Sequence, residues 1–124
     1  MKLEHIAIWT NQLEVMKAFY CKYFNGVSGQ KYINEEKHFE SYFISFDSGA
    51  RVELMTKRYL EKSFMSAVGI AHLAFSVGSQ LEVDKLTKLI QDDGYHTTLP
   101  RETGDGYYES TIKDPDGNII EITE

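Results

Sequence analysis

Cysteine is nearly missing from this chain of 124 residues: Cys21 is the single one. That excludes an intrachain disulfide and a thiolate metal site. A lone thiol within a helical stretch reads as a small buried apolar residue. Blocks of lysine or arginine are also missing. With 13 basic and 19 acidic residues the net charge is −6, which sets aside nucleic acid and anionic membranes as partners. No apolar run approaches the roughly 18 residues of a membrane span. The opening Met1-Lys2-Leu3-Glu4-His5 lacks the apolar stretch of a secretory signal. The expectation is a soluble, cytoplasmic protein. Apolar residues at 42% and charged residues at 26% are ordinary globular values, and the length suits one domain spanning 1–124.

What is present is said twice. Gln12-Leu13-Glu14-Val15 recurs as Gln80-Leu81-Glu82-Val83, an offset of 68. At that offset Gly26 answers Gly94, Gly49 answers Gly117, and Glu53 answers Glu121. One residue out of step, His5-Ile6-Ala7-Ile8 answers His72-Leu73-Ala74-Phe75. The repeat turns single polar residues into pairs, and the pairs are histidines and glutamates, both metal-ligand types.

Local patterns predict the same element order in each half. Residues 2–10 read as a strand and 12–24 as a helix, with Asn11 as its N-cap and Asn25-Gly26 as a left-handed stop. Residues 30–34, 39–46 and 50–56 read as strands, the last two joined by Asp47-Ser48-Gly49. A connector over 59–69, with a short helical turn, follows module one (1–58) and precedes module two (70–124). There 71–77 reads as a strand, and 80–92 as a helix with Val83, Leu86 and Ile90 on one face, stopped by Asp93-Gly94. Residues 95–99, 107–113 and 118–123 read as strands, with Asp114-Pro115-Asp116-Gly117 as a turn. The fold class is α+β: two tandem βαβββ modules.

Strand parity aims the paired residues. Side chains alternate between faces, so Ile6 and Ile8 share one face and His5, Ala7 and Trp9 the other. By the same rule Glu53 opposes Val52 and Leu54, His72 opposes Leu73 and Phe75, and Glu121 opposes Ile120 and Ile122. All four strands give an aliphatic face to their helix and a potential ligand to the other side. Clustered carboxylates without a cation carry a high desolvation cost, which a divalent metal removes. His5, Glu53, His72 and Glu121 are therefore the expected metal set.

The repeated βαβββ order, with His in each first strand and Glu in each last one, resembles the vicinal oxygen chelate superfamily. The nearest branch is glyoxalase I (lactoylglutathione lyase) and the bleomycin-resistance proteins. The likeness covers essentially the whole chain. It is carried by His5-Ile6-Ala7-Ile8, Arg51-Val52-Glu53-Leu54, Gly69 to Val77, and Asp114-Pro115-Asp116-Gly117-Asn118-Ile119-Ile120-Glu121-Ile122. It implies a cupped mixed sheet with helices outside, one divalent metal per site (nickel, zinc, cobalt or manganese), and a homodimer. The implied reaction converts the hemithioacetal of a 2-oxoaldehyde and a small thiol into a 2-hydroxyacyl thioester, through a metal-bound enediolate. Glu53 and Glu121 are equally eligible as its base. Other chemistries on this scaffold are fosfomycin-type thiol transfer, extradiol ring cleavage and metal-free drug binding.

The chain departs from the glutathione-using members. They carry an arginine four residues after the first His, where this chain has Trp9. They tend to carry Asn shortly after the first Glu, where this chain runs Met55-Thr56-Lys57-Arg58. Lys57, Arg58 or Arg101 is then the candidate for an anionic substrate group, and Trp9 a candidate wall. The loop Arg101-Glu102-Thr103-Gly104-Asp105-Gly106-Tyr107-Tyr108 could close over a ligand, with Tyr107 among its contacts.

Overall fold

Leu13, Met16, Phe19, Tyr20 and Tyr23 recur at helical spacing, and in the computed structural model they form the buried side of α1 (Leu13–Tyr23). The structure describes residues 2–61, 68–104 and 106–124. It divides into two compact units, Met1–Phe64 and Met65–Glu124, a break inside the expected connector. The helical turn expected in that connector falls largely on 62–67, outside the described residues.

The first unit holds β1 (His5–Trp9), α1, β2 (Val27–Ser28), β3 (Tyr32–Asn34), β4 (Phe39–Ser45) and β5 (Arg51–Lys57). Its sheet runs β1-β5-β4-β2, with β3 also on β4. The β1–β5 pair is parallel and the others antiparallel, so the sheet is mixed. The helix lies on β4 and β5, where Tyr42, Ile44, Val52 and Leu54 complete the core. The second unit repeats the plan with β6 (Leu73–Ser76), α2 (Gln80–Asp92), β7 (Arg101–Glu102), β8 (Tyr108–Lys113) and β9 (Ile119–Thr123). Its order is β6-β9-β8-β7, again with first and last strands parallel. Val83 and Ile90 of α2 pack over Ile112, Ile120 and Ile122, all buried. Thr87, rather than the half-buried Leu86, is the third buried side chain of α2. Its hydroxyl donates to the Val83 carbonyl at 2.7 Å and meets Ser110 Oγ at 2.6 Å, so both buried hydroxyls are satisfied.

Several local expectations are corrected. Asn11 does not cap α1. Gln12 holds that position without a side-chain cap bond, and the Asn11 amide donates to the Leu60 carbonyl instead. Ser79 caps α2, accepting from the Glu82 N–H. The strand expected at 95–99 is reduced to one bridge, Thr97 with Ile112. There the Thr98 hydroxyl accepts the Thr111 N–H at 2.8 Å, taking a proton that a ladder carbonyl would otherwise receive. Pro100 follows and has no N–H to extend the ladder. The strand expected over 30–34 is shortened to β3, and a short strand that was not expected, Val27–Ser28, pairs with β4 ahead of it. Cys21 is half-buried rather than buried.

The helix stop at Asn25-Gly26 divides its labour. Asn25 takes the left-handed conformation, with φ of 52°. Gly26 serves close approach: a Cβ there would sit 2.4 Å from Ile44 Cγ2 and 3.1 Å from the Tyr20 carbonyl. Ile44 is fully buried and cannot withdraw. Gly26→Ala is expected to destabilise the chain by about 1–3 kcal/mol through overpacking. A urea midpoint equal to that of the parent would contradict this. In the turn after β8, the buried Asp114 carboxylate accepts from the Asp116 and Asn118 N–H groups and the Asn118 amide, while Gly117 supplies a φ of 89°.

Candidate metal centre

Alternation along the strands places the candidate donors. In the parallel β1–β5 pair His5 lies opposite Arg51 and Ala7 opposite Glu53, so His5 and Glu53 are diagonal neighbours on one face. His5 Nε2 is 3.9 Å from Glu53 Oε2. In the second unit Ala74 lies opposite Glu121. His72, just before β6, reaches the same diagonal, with Nε2 at 3.2 Å from Glu121 Oε2. Both glutamates are partly buried and both histidines more open. Val52, Leu54, Ile120 and Ile122 face the helices on the opposite side.

Each unit therefore builds one His–Glu pair. Among the described residues no group of three or more His, Cys, Asp or Glu side chains is close enough to hold a metal ion. The chemistry of each pair nevertheless suits one. Two donors sharing a cation at bond lengths near 2.1 Å sit about 3.0–3.4 Å apart. The His72–Glu121 separation falls in that range. The His5–Glu53 separation, 3.9 Å, is wider by roughly half an ångström.

The two histidines are supported differently. His5 Nδ1 bonds the Glu4 carboxylate, which also binds the Arg51 guanidinium. The Glu4 carbonyl accepts the Arg51 N–H at 3.1 Å. Its hydrogen bond to His5, and then Arg51, hold the Glu4 carboxyl below the ordinary carboxylate range. A carboxylate on Nδ1 leaves Nε2 facing Glu53, the arrangement that orients a ligating imidazole. Phe43 meets the His5 ring edge-on at 5.3 Å, and Arg51 stacks on Phe43 at 4.2 Å. At the equivalent positions the second unit has Ala71, Ile119 and Thr111.

Trp9 shares the His5 face and is 44% exposed. Lys57 Nζ lies 4.6 Å from its ring centre. Arg58 adjoins Lys57 at the end of β5. Arg101 lies in β7 opposite Glu109. Exposed Tyr107 follows a hairpin in which its N–H donates to the Thr103 hydroxyl. Asp105, within the loop expected to close over a ligand, lies outside the described residues. Tyr108 turns away to α2, donating to Asp84 at 2.8 Å. The Asp84 carboxylate raises its pKa.

Sequence reasoning missed Glu4, Arg51, Phe43 and Phe39. Alternation assigns Glu4 and His5 to opposite faces, but Glu4 lies before the start of β1, where that rule does not fix its side chain. The aromatic neighbours come from β4 and meet His5 and Trp9 because β1 and β4 flank β5, an order that local sequence does not give.

The description "Glyoxalase/Bleomycin resistance protein/Dioxygenase superfamily" belongs to a family model that matches residues 2–122. An uncharacterized protein of Bacillus subtilis (strain 168), YqjT, is 27% identical over 126 residues, spanning 97% of this chain and 96% of that protein. Glyoxalase I from Zea mays is similar in structure, with a TM-score of 0.83 at 21% identity. The match covers 98% of this chain but only 44% of the maize chain. The trypanothione-dependent glyoxalase I of Leishmania major has a TM-score of 0.80 at 20% identity, covering 100% of this chain and 86% of that one. Likeness at these identities shows the fold.

Proposed function

The chain belongs to the glyoxalase/bleomycin resistance protein/dioxygenase superfamily, and from this we propose that it is a metal-dependent lyase of the glyoxalase I kind. The substrate is the hemithioacetal of a 2-oxoaldehyde and a low-molecular-weight thiol, and the product a 2-hydroxyacyl thioester. The observation that carries the reading is the duplicated His–Glu pair, at 3.9 Å and 3.2 Å on equivalent strand diagonals. Packing has no need to repeat such a pair, whereas a shared cation does.

His5, Glu53, His72 and Glu121 are the residues that would hold the cation. Two pairs make a four-donor N2O2 set, drawn from one chain or from two copies, and a homodimer is part of the proposal. Such a set suits nickel, cobalt, zinc or manganese. A bound divalent cation supplies Lewis acidity that lowers the cost of negative charge on two adjacent substrate oxygens. The rest falls to the protein. One carboxylate, Glu53 or Glu121, takes the proton from the carbon bearing sulfur. The proton is then returned to the neighbouring carbon, so the reaction is an isomerisation that needs no oxidant or reductant. Glu4 keeps the His5 ring in place through Nδ1. A cytoplasmic setting agrees with a chain that uses no disulfide and a reaction that uses a free thiol.

Metal-reconstituted protein mixed with methylglyoxal and each of several small thiols is expected to form thioester, followed by its ultraviolet absorbance. No thioester with any thiol or metal would refute the lyase reading. No helix among the described residues is long and apolar enough to cross a membrane.

A further inference from the structure

The two units share their donors and differ in what surrounds them. In the second unit the strand beside β9 sets Thr111 opposite Glu121 and Glu109 opposite Thr123. In the first unit the same face is aromatic. Phe43 lies opposite Glu53, and Phe39 opposite Lys57. Trp9 and Phe39, from the two strands that flank β5, meet edge-on at 6.1 Å. Tyr32 of β3 continues the row, 6.0 Å from Phe39. Trp9 and Tyr32 are 44% and 54% exposed, so the row has open ring faces and edges that no core packing demands.

A cation stands at the end of this row. Lys57 Nζ rests on Trp9, and no carboxylate pairs with it among the described residues. Phe39, Lys57 and Arg58 also line an open groove of about 600 Å³ at the end of the sheet. Trp9 and Tyr32 are not among its lining residues, so the groove adjoins the row at Phe39 and Lys57. Glu40, on the groove wall, is already paired with Lys31 at 2.6 Å. Glu35 and His38 stand on the β3–β4 side. Trp9 lies opposite Met55, two residues along β5 from Glu53, or about 7 Å at strand rise, and Lys57 lies about 13 Å away. A molecule reacting beside Glu53 would lay its next atoms on the rings and its far end on the ammonium.

We infer that the Trp9–Phe39–Tyr32 row with Lys57 is a binding subsite for an aromatic acid, a planar ring bearing a carboxylate. The ring stacks in the row and the carboxylate pairs with Lys57, with Arg58 as a second cation at the groove. A plain aliphatic acid would leave the rings unused, and a neutral aromatic would leave Lys57 unpaired. The inference deepens the reading of this face as the reaction face, and rests on it for the meaning of the subsite. It narrows the substrate to a hemithioacetal with an aromatic, acidic arm on the aldehyde or the thiol.

Trp9 is the only tryptophan, so its fluorescence reports this subsite directly. Chelator-treated protein, in which no cation can hold a carboxylate, is titrated with benzoate, acetate and benzyl alcohol. Benzoate is expected to give a saturable change in Trp9 emission at concentrations where the other two give none. Lys57→Gln is expected to weaken benzoate by about tenfold or more and Lys57→Arg to restore most of it. Lys57 is exposed, and unchanged circular dichroism verifies the fold of each variant. Acetate or benzyl alcohol matching benzoate would overturn the inference, as would a Lys57→Gln variant that binds benzoate like the parent. Thioester formation is measured separately on metal-loaded protein. A lyase that ignores benzoate refutes the subsite alone, and benzoate binding without lyase activity refutes the reaction alone.

Discussion

Glu121→Gln is expected to reduce thioester formation from the methylglyoxal hemithioacetal by about 10²–10⁴-fold, the usual worth of a positioned acid–base group. The amide keeps the size of the carboxylate but cannot accept the proton, and it is a poorer donor to a cation. Glu121 is on β9, between Ile120 and Ile122, both fully buried, so its backbone is anchored and the change is confined to the face it shares with His72. Glu53→Gln is expected to fall in the same range, because Glu53 occupies the equivalent diagonal in the first unit. The metal content of the two variants separates their roles. The variant that keeps its metal and loses its rate has lost the base. The one that loses both has lost a ligand. A Glu121→Gln enzyme with parental rate would end the assignment of Glu121 to the proton transfer.

The second large effect is on stability. Nickel, cobalt, zinc or manganese added to chelator-treated protein is expected to raise the unfolding midpoint. A cation at a hundred times its dissociation constant stabilises the folded state by about 2.7 kcal/mol. For a chain of this size that is a shift on the order of 10 °C. His72→Ala should remove most of the shift, since His72 Nε2 and Glu121 Oε2, at 3.2 Å, are the pair whose spacing already suits a shared cation. Loss of the shift should be smaller in Glu4→Gln, which leaves every donor in place and loosens the hold on the His5 ring and on the Arg51 guanidinium. If none of the four metals moves the midpoint, the protein is better read as a metal-free binding module on the same scaffold.

The repeat and the parity of the strands were both legible in the sequence, because they rest on hydrophobic alternation, which local order alone determines. Ile6, Ile8, Val52, Leu54, Ile120 and Ile122 announce one face, and the polar residues between them are left with the other. The two pairs therefore lie where alternation puts them. Whatever depends on register or on an irregular segment was not legible. The order β1-β5-β4 has no local marker, so nothing announced that Trp9 and Phe39 meet across β5, and the aromatic row stayed hidden. Thr98 lies in a stretch with strand-like composition; Pro100 was visible beside it, but the Thr98 hydroxyl bonded to the Thr111 N–H was not. Asn11 is a favoured capping residue by type, but its amide is drawn to the Leu60 carbonyl, a tertiary contact that no local rule anticipates.

In both units the first strand pairs with the last. Histidine and glutamate thus enter the chain roughly fifty residues apart, and their meeting requires that the whole intervening loop be closed. A half-made unit, with its helix and central hairpin formed but its first strand undocked, has no donor pair at all. On the proposed reading, ion capture would therefore wait for the least local contact of each unit. If the chain takes up a cation as proposed, its connectivity would disfavour premature metallation of a nascent or misregistered chain.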